Sequence, residues 1–104
     1  MDLNSDIDIT TADRQLLLSL IRKYLPDTTV WAFGSRVKHT SRPESDLDLV
    51  AFVPQGFENN LYDLRDELAE ANLPFSVDIF NWHDLPDNFR RNIEACYVPI
   101  IEFQ

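Results

Sequence analysis

The stretch Val30-Trp31-Ala32-Phe33-Gly34-Ser35-Arg36, a polar connection, and then Ser45-Asp46-Leu47-Asp48-Leu49-Val50-Ala51-Phe52-Val53 decide how the chain is read. Two apolar, strand-like runs bracket the stretch. A Gly-Ser pair closes the first, an Asp-x-Asp pair opens the second, and ten residues separate Ser35 from Asp46. A strand that ends in Gly-Ser and turns into a short helical segment leaves unpaired backbone N–H groups pointing outward, which suits a phosphate. Gly34 lets the backbone approach closely and the Ser35 hydroxyl adds a donor. Arg36 and Lys38 follow, and Arg36, nearer the turn, is placed to meet a triphosphate bidentately.

In a strand alternate side chains share a face. Asp46 and Asp48 therefore project to one side, about 6.6 to 6.8 Å apart along the backbone, while Leu47 and Leu49 point the other way. Two such carboxylates repel one another, and a divalent cation between them removes that cost. The plainer reading is a pair of solvated residues at a strand mouth, with Asp46 closing a turn. The combination weighs against it. If the two strands pair antiparallel, the end of the first and the start of the second lie at the same edge, and turn and carboxylates face one small volume.

Downstream, Pro54-Gln55-Gly56 is a turn, and Asn59 or Asn60 caps a helix near 58–72 carrying Leu61, Leu64, Leu68 and Ala71 on one face. Pro74 opens a third apolar run near 75–80. A helix of this length between strands is the usual crossover between parallel neighbours, so this run should lie parallel to the second. It contains Asp78 between Val77, Ile79 and Phe80, the setting of a central strand. An unpaired buried carboxylate costs several kcal/mol, so Asp78 requires a metal, a cation or a function. A salt bridge to Arg90 or Arg91 is the bland alternative. Beyond it, Asp84 caps and Pro86 opens a helix near 85–96, with Phe89, Ile93 and Tyr97 as its apolar stripe, and an extended segment runs over 98–103.

Upstream, Leu16, Leu17, Leu20, Ile21 and Leu25 recur with helical period, giving an amphipathic helix near 11–25 capped by Thr10 or Thr11. Thr28 to Phe33 is β-branched and aromatic, as a short buried strand requires. A second Asp-x-Asp, Asp6-Ile7-Asp8, lacks a preceding Gly-Ser turn and a following apolar strand. It reads as part of a solvated, polar N-terminal arm over 1–10. Residues 11–104 then form a single α+β domain, a small mixed sheet packed by helices. His39 and His83 lie far apart without a zinc-ligand pattern and read as surface residues, and Cys96 packs at a helix end.

With 104 residues the chain allows one two-layer core, with no room for a separate acceptor-binding domain. The acceptor should therefore come largely from another protein. A formal charge of −9 repels phosphate backbones, which argues against direct nucleic-acid binding and favours divalent cations and a basic protein partner. A single cysteine, no signal segment and no apolar run near twenty residues read as a cytoplasmic protein without a membrane span.

Three carboxylates and an anion-binding turn suit phosphoryl or nucleotidyl transfer by two metal ions. Asp46 and Asp48 hold both ions, Asp78 ligates one and is the candidate base, and Gly34, Ser35 and Arg36 position the phosphates. The pattern Gly34-Ser35, ten residues, Asp46-Leu47-Asp48, then Asp78 resembles the polymerase-beta-type nucleotidyltransferase superfamily. Within it, Phe33-Gly34-Ser35-Arg36 with Ser45-Asp46-Leu47-Asp48-Leu49 is similar to the minimal nucleotidyltransferase antitoxins paired with HEPN-domain toxins, and Leu85-Pro86-x-x-Phe89-Arg90-x-x-Ile93 also fits. The resemblance covers roughly Thr11 to Ile101. It implies the polymerase-beta-like fold, ATP as substrate, Mg²⁺, and a hetero-oligomer with a HEPN toxin in which AMP passes to a tyrosine of that RNase. His39 is a departure, standing where relatives often carry glycine after a basic residue. Two rival readings stand beside it: an antitoxin that acts by binding alone, and transfer to a small hydroxylated molecule. The presence of all three aspartates argues against a silent member.

Overall fold

The computed structural model describes residues 7–103. Helix α1 (Thr11–Tyr24) leads to strand β1 (Val30–Phe33), the single-turn helix α2 (Ser35–Lys38), strand β2 (Leu47–Ala51), helix α3 (Glu58–Glu70), strand β3 (Val77–Asn81), helix α4 (Asp87–Ala95) and strand β4 (Tyr97–Ile101). A 3-10 turn, Trp82–Asp84, lies between β3 and α4. The four strands form one sheet in the order β3-β2-β1-β4. The pair β1/β2 is antiparallel, β2/β3 parallel and β1/β4 antiparallel, with a bulge between Val30 and Trp31. Pro99 is accommodated because β4 is an outer strand, where a missing N–H need not interrupt a ladder on both sides.

Local chemistry sets the element ends. The Thr10 side chain accepts a hydrogen bond from the Asp13 N–H and so starts α1, while Arg22 and Lys23 sit at its negative C-terminal end. Helix α3 starts at Glu58 without a side-chain cap. Asn60, expected as a cap, instead donates from Nδ2 to the Tyr24 carbonyl at 2.9 Å and ties α3 to the end of α1. Asp84 likewise does not cap α4, which begins after Pro86.

Alternation along the strands gives the sheet two apolar faces. Val30, Ala32, Leu47, Leu49, Ala51 and Ile79 pack with Leu17, Ile21, Leu61, Leu64 and Leu68 of α1 and α3. The opposite face is aromatic. Trp31 stacks on Tyr97 with ring centroids 3.9 Å apart and meets Phe52 and Trp82 edge-on, while Phe33, Phe80 and Phe89 of α4 form a second triad. Trp31 and Trp82 are thus packing aromatics.

The polar-arm reading is corrected where it can be compared. Ile7 is 1 % exposed and joins the core with Ile9, so residues 7–9 are docked, whereas residues 1–6, including Asp6, lie outside the described residues. The signal for this in the sequence is the alternation Ile7-Asp8-Ile9, the pattern of a half-buried extended segment. Among the described residues no helix is long and apolar enough to cross a membrane.

Candidate active site

The site is assembled at one end of the sheet by the turn after β1 and the first residues of β2 and β3. Gly34 has φ +85° and ψ −158°, a backbone region that is open essentially to glycine alone. Its neighbour in space is Asp48. A Cβ built on Gly34 would overlap Asp48 Oδ2 and stand 3.3 Å from Asp48 Cγ, so the missing side chain makes the space that the carboxylate fills. Ser35 opens α2, in which the Val37 and Lys38 N–H groups bond to the Gly34 carbonyl, while those of Ser35 and Arg36, at the start, precede the helix's own ladder.

Asp48 lies opposite Phe33 in the antiparallel ladder and opposite Asp78 in the parallel one. Asp48 and Asp78 are therefore in register on neighbouring strands and share a face of the sheet. Asp46 precedes β2 by one residue and is exposed. The Asp48 carboxyl is pushed above its ordinary value, first by burial and then by the negative charges of Asp78 and Asp46, both of which reach it. The fold thus brings Gly34, Ser35, Asp46, Asp48 and Asp78 together.

Two expectations are corrected. Strand β3 is an edge strand and Asp78 is exposed, so no burial penalty demands a partner for it. Nor does Arg90 serve it: that guanidinium lies 3.8 Å from Asp87 and donates to the carbonyls of Trp82 and His83. The second correction concerns Arg36, which is 6 % exposed. Its guanidinium donates to the carbonyls of Asp8 at 2.7 Å, Ser45 at 2.9 Å and 3.1 Å, Pro43 at 3.1 Å and Arg42 at 3.4 Å, and it lies over the Phe75 ring. A guanidinium engaged in this way is not offered to a triphosphate. Neither Asp8 nor Phe75 is marked in the sequence as its partner, because a backbone carbonyl and a ring before a strand carry no motif.

Hard carboxylate oxygens suit a hard divalent cation, and the repulsion raised at Asp48 is what such an ion would relieve. Among the described residues no three His, Cys, Asp or Glu side chains are gathered as a finished cation cage. A cation held by these aspartates would complete its shell with water and phosphate oxygens, as Mg²⁺ does at nucleotide sites. His39 and His83 are exposed and belong to no such group.

A four-stranded mixed sheet that sets a Gly-Ser turn against paired aspartates defines a nucleotidyltransferase. The family described as polymerase beta, nucleotidyltransferase matches residues 15–103, and the chain belongs to it. The chain is 34 % identical over 99 residues to the "Probable protein adenylyltransferase MntA" of Haemophilus influenzae, covering 94 % of this chain and 87 % of that protein. Among solved structures, a toxin–antitoxin complex with AMP-PNP superposes with a TM-score of 0.73 at 20 % identity, over 88 % of this chain and 74 % of the other. A complex of tri-AMPylated Shewanella oneidensis HEPN toxin with MNT antitoxin gives a TM-score of 0.62 at 17 % identity, over 89 % and 72 %. At these identities the structural likenesses establish the fold.

Proposed function

We propose that the chain is an antitoxin that transfers AMP from ATP to a tyrosine hydroxyl of a cognate HEPN RNase toxin in the cytoplasm and thereby silences it. The observation that carries the reading is the in-register pair Asp48 and Asp78, with the Asp48 carboxylate set against Gly34. It stands in a chain 34 % identical to a protein named as an adenylyltransferase. The AMP-PNP and AMPylated-toxin complexes of similarly folded proteins support ATP as the donor and a toxin as the acceptor.

The residues divide the chemistry among them. Gly34 and Ser35 offer backbone N–H groups and a hydroxyl to the triphosphate. Asp46, Asp48 and Asp78 would hold Mg²⁺, which when bound neutralises triphosphate charge and makes the attacking hydroxyl more acidic. Asp78, exposed at the sheet edge, accepts the proton of the incoming tyrosine hydroxyl. That oxygen bonds to the α-phosphorus as the bond to the bridging oxygen breaks, and pyrophosphate leaves. Asp48, already crowded by two negative charges, is the carboxylate that gains most from a bound cation.

The test is to incubate the protein with ATP, Mg²⁺ and its partner and to weigh the intact partner by mass spectrometry. A gain of one or more AMP units is expected. No gain under saturating nucleotide leaves neutralisation by binding alone, and labelling of a small hydroxylated acceptor without any protein partner replaces the acceptor assigned above.

A further inference from the structure

Sheet hydrogen bonds fix two of the three aspartates, since Asp48 and Asp78 are both members of the β2/β3 ladder. Asp46 stands outside it. Strand β2 begins at Leu47, whose N–H bonds to the Ser76 carbonyl, and Asp46 ends the polar connection from His39 to Ser45. Most of that connection is exposed. An aspartate at the end of such a loop sweeps a wide volume unless the residue before it is held.

The residue before it is held by Arg36. Ser45 is the immediate neighbour of Asp46, and its carbonyl accepts from both Nε and Nη2 of Arg36, at 3.1 Å and 2.9 Å. The same nitrogen, Nη2, reaches the Pro43 and Arg42 carbonyls, while Nη1 reaches the Asp8 carbonyl. The guanidinium carbon lies 4.3 Å from the centroid of the Phe75 ring, three residues before Asp78. The loop closes on itself as well, through Arg42 N–H to Ser45 Oγ at 2.8 Å, and the Ser41 hydroxyl meets the Asp8 carboxylate. One planar, buried cation therefore joins α2, the docked N-terminal segment, the loop that delivers Asp46 and the approach to β3. Burying a guanidinium is costly unless its donors are engaged, and here carbonyl oxygens engage Nε, Nη1 and Nη2 alike in a fixed fork. Lysine, a point charge on a flexible stem, cannot hold these carbonyls in one plane.

We propose that Arg36 is the positioning residue of the cation site, fixing Asp46 through the Ser45 carbonyl. The inference rests on the reading above that Asp46 helps to hold a divalent cation. It assigns Arg36 no contact with nucleotide.

Mn²⁺ binding by the nucleotide-free full chain, followed by electron paramagnetic resonance well below the melting temperature, tests it without recourse to activity. Arg36→Lys is expected to raise the Mn²⁺ dissociation constant about tenfold, the scale of groups that orient metal ligands. The loss should vanish when Asp46→Asn is already present and persist when Asp78→Asn is present instead, because coupled sites are not additive. Phe75→Leu keeps every donor but removes the ring face, and should shift binding in the same direction by a smaller factor. It serves if Arg36→Lys does not fold. A lowered melting temperature with unchanged Mn²⁺ affinity, or equal losses in all backgrounds, overturns the proposal. Wild-type protein that binds no Mn²⁺ overturns the cation reading beneath it, a distinct failure.

Discussion

The α-carbon of Gly34 packs against the carboxylate of Asp48 so closely that a methyl group on it would overlap Asp48 Oδ2. Two penalties therefore fall on Gly34→Ala. The backbone would have to be held at φ +85°, which costs a residue other than glycine about 1–3 kcal/mol, and the new methyl would drive the Asp48 carboxylate away from its place. Urea unfolding should show a loss in that range. AMP transfer should fall further than stability does, because the displaced group is at the centre of the site. Wild-type stability and rate in Gly34→Ala would show that neither the turn nor the close approach matters.

A second consequence follows from the charge around Asp48. Burial, then Asp78, then Asp46 raise its carboxyl above the ordinary value. A carboxyl whose folded-state pKa exceeds its unfolded one contributes stability while protonated and loses it as pH rises through the folded value. At neutral pH, without divalent cation, Asp48→Asn should therefore melt above the wild type, with the difference shrinking as pH falls into the range where Asp48 is protonated. Added Mg²⁺ should raise the wild-type melting temperature and leave the variant almost unmoved. Equal stabilisation of both proteins would contradict this account.

His39 ends helix α2 at φ 57° and ψ 34°, in the left-handed region that most side chains avoid. The position calls for a residue that can close α2 on the Ser35 carbonyl, and glycine would do so without strain. His39→Gly removes about 1 kcal/mol of backbone strain and returns part of it through the greater freedom of the unfolded chain. A net gain of a few tenths of a kcal/mol is expected in chemical denaturation. A clear loss would mean that the imidazole makes a compensating contact.

The parallel pairing was legible because a helical crossover between strands makes β2 and β3 parallel neighbours. The antiparallel pairing of β1 and β2 entered as a condition, since a connection running from Gly34 to Asp46 with α2 inside it permits either direction; with that condition met, Gly34, Asp48 and Asp78 fall at one end of the sheet. The position of β3 within the sheet was not legible. Val77, Ile79 and Phe80 look central because helices pack on one face of the sheet and aromatic side chains on the other, so an edge strand is apolar on both sides. Arg36 failed for a different reason. An arginine one residue beyond a Gly-Ser turn has the same sequence context whether it faces phosphate or turns inward. Only the tertiary placement of the Asp8, Pro43 and Ser45 carbonyls decides between them.

Asp78 offers the cleanest separation of chemistry from folding. It is exposed, it lies on an edge strand, and its ladder bonds are made by the backbone, so Asp78→Asn removes charge without opening a cavity or stranding a buried partner. Its stability should stay within about 0.5 kcal/mol of wild type, as for most surface substitutions. Removing a general base typically costs 10²–10⁴ in rate, so the turnover of AMP onto the partner should fall by at least ~100-fold. Pull-down of the partner should be unaffected, because one neutralised carboxylate at the sheet edge leaves the aromatic face and the helices intact. Near-wild-type transfer by a folded Asp78→Asn would remove Asp78 from the chemistry and leave the proton to a group supplied by the acceptor.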